Sequence, residues 1–253
     1  MAVSVPTTLP SLARRDPILV SSGAIAFGAA LVFGALALSD AGWWKPAAFA
    51  ASIGLYLWTV AWIGAGLRTS RALSVVRLGT VASLGLEGAL IALQAARGVP
   101  SHFNTATPFD LAVFNMMGAS IALATVLAAV LFVLSIRDGG ALPAATRVAV
   151  PLGLALFLVG TAVGGAMVMM MGGRGVVGPA PGVPVASWDL SAGDLRPAHF
   201  VALHAVQVVP AVGVVADGRH WSVAARRATV VLAAIAYGAV FALLYGLALT
   251  AQP

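Results

Sequence analysis

The sequence predicts an all-α fold, a polytopic bundle of seven transmembrane helices. The chain is 60% hydrophobic and only 9% charged, whereas soluble domains carry about 25% charged residues. The apolar residues also fall into seven runs, and each run is close to the length of about 20 residues that a helix needs to cross the hydrocarbon core. We therefore expect the lipid bilayer as the main partner and a single transmembrane domain over residues 1–253.

Each predicted span is an apolar run bounded by charged, Gly-rich or Pro-rich connections. The seven runs cover residues 18–38, 46–67, 78–96, 111–136, 148–171, 197–216 and 229–249. The sixth run is the least hydrophobic because it contains two histidines and a glutamine. The connection 172–196 is long and rich in Gly and Pro, which predicts an outer loop or lid.

The distribution of basic residues predicts the orientation. The connections on one side hold ten of the fourteen lysines and arginines, and those on the other side hold the remaining four. The positive-inside rule then places the N-terminus in the cytoplasm and the C-terminus outside. This role of the arginines accounts for the net charge of +6 without a nucleic-acid partner. The lack of cysteine excludes thiolate metal sites, covalent haem attachment and cysteine nucleophiles.

The third span carries the most informative residue, a carboxylate within an apolar helix. Glu87 lies about 15 Å from the outer end of that span, at 1.5 Å per residue, and an ionisable residue at this depth predicts a functional site. Gln94 shares its helix face, and Asn115, His204 and Gln207 fall at comparable depths on other helices. These residues predict one polar layer in the outer half of the membrane, open to a small-molecule ligand at the outer face.

Three histidines lie at or near the same outer face, and they are candidate metal ligands: His102, His199 and His204. The spacing of five residues between His199 and His204 separates them by about 140° around a helix, unlike the four-residue spacing of helical zinc proteases. Methionines near the outer ends of the fourth and fifth spans, Met116, Met117, Met167, Met169, Met170 and Met171, are candidate copper ligands or flexible packing residues.

Three classes of function follow from these residues. The first is a metal or cofactor protein that binds b-type haem, zinc or copper through the three histidines, with Gln94, Asn115 and Gln207 lining the cofactor. The second is a proton or small-solute pathway in which Glu87 acts with His204 and Gln207. The third is a zinc-dependent membrane hydrolase in which Glu87 or Asp110 is the base.

Two segments carry a resemblance to a family. Residues 94–104 with Pro108 and Asp110, and residues 193–207, resemble a family of bacterial seven-span integral membrane proteins with no assigned activity. The resemblance implies the seven-helix layout, a location in the inner membrane of a bacterium, and an outer site drawn from Glu87, His102, His199, His204 and Gln207.

A second likeness is to the seven-helix zinc hydrolases of the alkaline ceramidase and adiponectin-receptor group. It implies that Ser101, His102 and Asp110 belong to a zinc site. The late histidine pair of that group is four residues apart, whereas His199 and His204 are five apart.

Overall fold

The computed structural model describes residues 8–169, 188–189 and 192–251. The structure is 83% helical, and no strand occurs in these ranges. The helices are α1 Leu9–Arg15, α2 Pro17–Leu36, α3 Trp44–Ala65, α4 Arg71–Ala96, α5 Pro108–Asp138, α6 Thr146–Met169, α7 Arg196–Asp217 and α8 Val223–Thr250.

Seven of these helices, α2 to α8, are long and apolar enough to cross a membrane. The all-α, seven-span prediction is therefore confirmed, and each predicted span overlaps one helix. Which end of each helix faces the cytoplasm stays a prediction, as does the assignment to a bacterial inner membrane.

Two helices begin earlier than the hydrophobic runs indicated. α4 begins at Arg71, where the Ser70 hydroxyl accepts a hydrogen bond from the Leu73 amide at 3.1 Å. α8 begins at Val223, and the Ser222 hydroxyl accepts from the Ala225 amide at 3.2 Å. Serine is a strong N-cap because its oxygen satisfies an otherwise unpaired amide. Apolar content alone missed these starts because arginines occupy the first two turns.

The described contacts divide the chain into two compact units. Of the described residues, those up to Leu131 form the N-terminal unit and those from Phe132 onward form the C-terminal unit. The boundary falls within α5. Whether the two units fold as the single domain expected from the sequence stays a prediction.

In the N-terminal unit, α2 packs closely on α3. A Cβ at Gly23 would come within 2.4 Å of the Trp58 ring, so only glycine leaves space for this indole. The Trp58 Nε1–H donates to the Val20 carbonyl at 3.0 Å, which satisfies a polar group that lipid could not. α4 lies beside this pair of helices and positions the polar residues described below.

In the C-terminal unit, glycines bring α6 and α7 into close contact. A Cβ at Gly153 would lie 2.7 Å from the Ala205 carbonyl oxygen, and one at Gly213 would lie 2.7 Å from the Ala149 Cβ. The Asp217 carboxylate at the end of α7 accepts hydrogen bonds from the first amides of α6, those of Ala145 and Thr146, at 3.0 and 2.8 Å. Small residues at such a seam are typical of membrane helices, whose association depends on close packing.

Candidate functional site

A buried carboxylate and a loop histidine meet in the N-terminal unit. Glu87 on α4 is only 1% exposed, and its Oε1 lies 3.7 Å from Nε2 of His102. His102 belongs to the connection 97–107 between α4 and α5, and its side chain is 26% exposed. The pair therefore joins the interior of the unit to its surface. Of the histidines predicted to lie near Glu87, the structure brings His102 beside it.

The second oxygen of Glu87 has a partner that the sequence did not single out. The Ser120 hydroxyl on α5 donates to Glu87 Oε2 at 2.9 Å. In contrast, Oε1 is buried and has no hydrogen-bond partner in the described part of the chain. A buried carboxyl oxygen in this state needs a proton, a water molecule or a shorter contact with His102.

Lys45 determines which ring nitrogen of His102 carries the proton. The Lys45 Nζ lies 3.1 Å from His102 Nδ1, and the Ser101 hydroxyl lies at the same distance from that atom. A lysine ammonium can only donate, so Nδ1 accepts and the ring proton of neutral His102 resides on Nε2. This proton points towards Glu87 Oε1.

His102 is held in its neutral form. Burial, the larger cause, and the positive charge of Lys45 together lower the pKa of His102 to about 3. The ring also contacts Phe49, with centroids 5.6 Å apart. Near neutral pH the ring is therefore neutral, with one nitrogen that can donate a hydrogen bond and one that can accept.

The loop that carries His102 contains a strained residue. Phe103 has φ of 59°, a left-handed conformation that is unusual for a bulky side chain and costs about 1–3 kcal/mol. Its ring packs against Phe114 at 5.6 Å and lies 6.4 Å from the His102 ring. These ring contacts hold the strained turn beside His102.

Asp110, predicted as a possible base, lies in a separate hydrogen-bond cluster. Its Oδ1 accepts from Gln94 Nε2 at 3.0 Å and from Arg97 at 2.5 Å, and its Oδ2 accepts from the Thr107 hydroxyl at 2.7 Å. Arg97 also donates to Gln94 Oε1. The cluster joins the end of α4 to the start of α5. Both Asp110 oxygens are thus occupied, and Gln94 points to this clamp.

Asn115, predicted to line a cofactor, lies on an exposed face of α5. Ser120 faces Glu87 instead, and the two positions differ by about 140° around the helix. The sequence signal that could have identified Ser120 is its spacing of three and seven residues from the buried Met117 and Val113. Lys45 could have been found as the one lysine of the chain, at the start of the helix preceding α4.

The other two candidate histidines, His199 and His204, belong to the C-terminal unit and have different partners there. His199 Nδ1 donates to the Gly160 carbonyl at 2.7 Å, and its ring fills the space beside Gly164, where a Cβ would lie 2.8 Å from Cε1. His204 shares a hydrogen bond with Gln207 and contacts the Phe200 ring at 4.3 Å. His199 is in the regular first turn of α7, since its amide donates to the Leu195 carbonyl.

No three His, Cys, Asp or Glu side chains within the described ranges come close enough together to hold a metal ion. Met117 packs with Leu90, Ile91 and Val113, while Met170 and Met171 lie outside the described residues. Most of the predicted lid, 172–187 and 190–191, also lies outside them. Its described end contains a bidentate ion pair between Arg196 and Asp194, with Nη2–Oδ2 of 2.7 Å.

No protein-family model, curated protein or solved structure matches the chain.

Proposed function

We propose that the protein belongs to a proton-linked pathway in the membrane and that Glu87 is its proton-binding group. The observation that carries the proposal is the unpartnered Oε1 of Glu87, buried and facing His102 Nε2 at 3.7 Å. Of the three functions considered from the sequence, this one uses a cluster of residues that lie close together within one unit. The relay differs from the predicted one, because Glu87 acts with His102 and Lys45 instead of His204 and Gln207.

The cluster supports a balanced proton transfer. Lys45 is exposed and exchanges protons with water. A proton passes from Lys45 Nζ to His102 Nδ1 while the Nε2 proton passes to Glu87 Oε1, and Lys45 then regains a proton from water. For direct transfer, the contact between Nε2 and Oε1 must shorten to about 3.0 Å, which a small side-chain rotation can provide.

Ser120 supports either state of Glu87. Its hydroxyl donates to Oε2 and also lies 2.9 Å from the Met117 carbonyl. A hydroxyl can donate to one acceptor at a time and can also accept. It can therefore donate to a charged Glu87, or turn to Met117 when Glu87 carries the proton.

The test uses the fact that Glu87 is the one glutamate of the chain. Carboxyl-labelled glutamate gives a single signal in the infrared difference spectrum between two pH values, and Glu87→Gln must remove that signal. In proteoliposomes that contain a pH-sensitive dye, we expect Glu87→Gln to reduce proton uptake at least tenfold. Asp40→Asn is the matched control because Asp40 is an exposed carboxylate at the same end as Lys45.

Two results would reject the proposal: a glutamate signal that does not change with pH, or proton uptake that is equal in wild type and Glu87→Gln. Elemental analysis of protein purified without added metal tests the metal and haem predictions separately. Stoichiometric iron, zinc or copper would favour them over a proton pathway.

A further inference from the structure

Two buried hydroxyl groups precede Glu87 on α4. They lie on the side of Glu87 that faces away from Lys45 of α3. Thr80 is 2% exposed and Ser83 is 3% exposed. They precede Glu87 by seven and four residues, so all three lie on one face of the helix. The two buried hydroxyls and the buried carboxyl therefore form a continuous polar row along one face of an otherwise apolar helix.

The row ends at an ion pair at the opposite end of the N-terminal unit. Arg77 lies one turn before Thr80, and its Nε contacts Asp16 Oδ2 at 2.5 Å. The Asp16 side chain is 6% exposed and that of Arg77 is 26% exposed, so the pair joins the interior to the surface. Asp16 Oδ1 also accepts from the Leu19 amide at 3.1 Å and caps α2.

The spacing of the row suits single water molecules. Successive members are three or four residues apart, which is about 4.5–6 Å along the helix axis. This separation is too long for a direct hydrogen bond and close to that of two oxygens bridged by one water. The Ser83 hydroxyl makes only a long bond of 3.3 Å to the Thr80 carbonyl, so it can donate to a water instead.

We propose that this row is the second half of the proton path, a chain of water molecules held by Ser83 and Thr80 that joins Glu87 to Asp16 and Arg77. The inference rests on the proposed function, because it needs Glu87 to bind a proton from the Lys45 end. It adds that the proton leaves at the opposite end of the unit, beside the ion pair of Asp16 with Arg77.

The test is the double variant Thr80→Val with Ser83→Ala, which removes both hydroxyls while keeping the shape of the first side chain. Ser135→Ala is the matched control. Ser135 is a buried helical serine that donates to the carbonyl three residues earlier, as Ser83 does, but it lies in the C-terminal unit. Two quantities are measured for each protein: proton flux across proteoliposomes, and the pH-dependent infrared signal of labelled Glu87.

We expect the double variant to lose at least tenfold in flux while the Glu87 signal still titrates, and Ser135→Ala to match wild type. Unchanged flux in a double variant of normal thermal stability would overturn the path. Wild-type protein in which Glu87 titrates without transmembrane flux would also overturn it and would leave the proton site standing. A Glu87 that does not titrate would instead reject the proposed function. If the double variant does not fold, the two single variants carry the same test.

Discussion

Removal of the Lys45 charge should raise the pKa of His102. The ammonium lies 3.1 Å from Nδ1, and two unit charges at that distance repel by about 1.3 kcal/mol in water. Because Lys45 is exposed, the value for water is the appropriate lower bound. This energy corresponds to a pKa change of about one. We therefore expect Lys45→Gln to raise the pKa of His102 from about 3 by at least about one, while burial, the larger cause, keeps it below 6.5.

The assay is NMR of histidine labelled with ¹⁵N, in protein held in lipid nanodiscs. The chain has four histidines, and His102→Gln identifies the signal to follow. The ¹⁵N shifts also report the tautomer, which should be the Nε2–H form in wild type. Lys45→Arg is the control, because it keeps the positive charge and should keep the low pKa.

Two results would refute this reasoning. One is a wild-type His102 that titrates near the ordinary value of 6.5, which would mean that the ring is neither buried nor next to a cation. The other is an equal pKa in wild type and Lys45→Gln, which would mean that the lysine does not contact the ring and does not select its tautomer.

Three further predictions concern stability. Gly153→Ala should destabilise the C-terminal unit by about 1–3 kcal/mol through overpacking, because the added Cβ meets the backbone of α7. A Cβ at Gly165 in the same helix has nothing within 4 Å, so Gly165→Ala should be neutral. Thermal unfolding in detergent compares the two variants. Asp217→Ala should lower the free energy of unfolding by about 1–3 kcal/mol, because it leaves the amides of Ala145 and Thr146 unpaired. The Asp138 side chain makes no cap, so Asp138→Ala is the control in the same measurement. Equal losses in the two variants would contradict the capping role of Asp217. Because the folded protein keeps His102 neutral down to about pH 3 and the unfolded chain protonates it near 6.5, its contribution to stability should decrease as the pH falls from about 6.5 towards 3. The difference in melting temperature between wild type and His102→Gln should change in that window, and a constant difference would contradict the buried neutral ring.

The seven helices could be predicted from the sequence because the bilayer imposes one length and one composition on every span. The early starts of α4 and α8 could not be read from hydrophobicity, since they depend on the caps Ser70 and Ser222. Glu87 could also be identified without a structure. Its isolation in an apolar helix is a property of the chain itself, because burial of a charge in lipid is unfavourable wherever the neighbouring helices lie.

The hydrogen-bond and contact partners of Glu87 could not be predicted from the sequence, because they depend on the tertiary structure. Depth along each helix indicates which residues share a level of the membrane but not which helix faces meet. For this reason the sequence predicts Asn115 rather than Ser120 as a site residue. The loop that carries His102 back to Glu87 is held by contacts between residues far apart in sequence, those of His102 with Lys45 and Phe49. The sequence alone therefore determined the spans and the carboxylate, because these follow from the free energy of placing each residue in lipid. Only the tertiary structure decided the hydrogen-bond partners, because these depend on helix rotation and loop path, which packing determines.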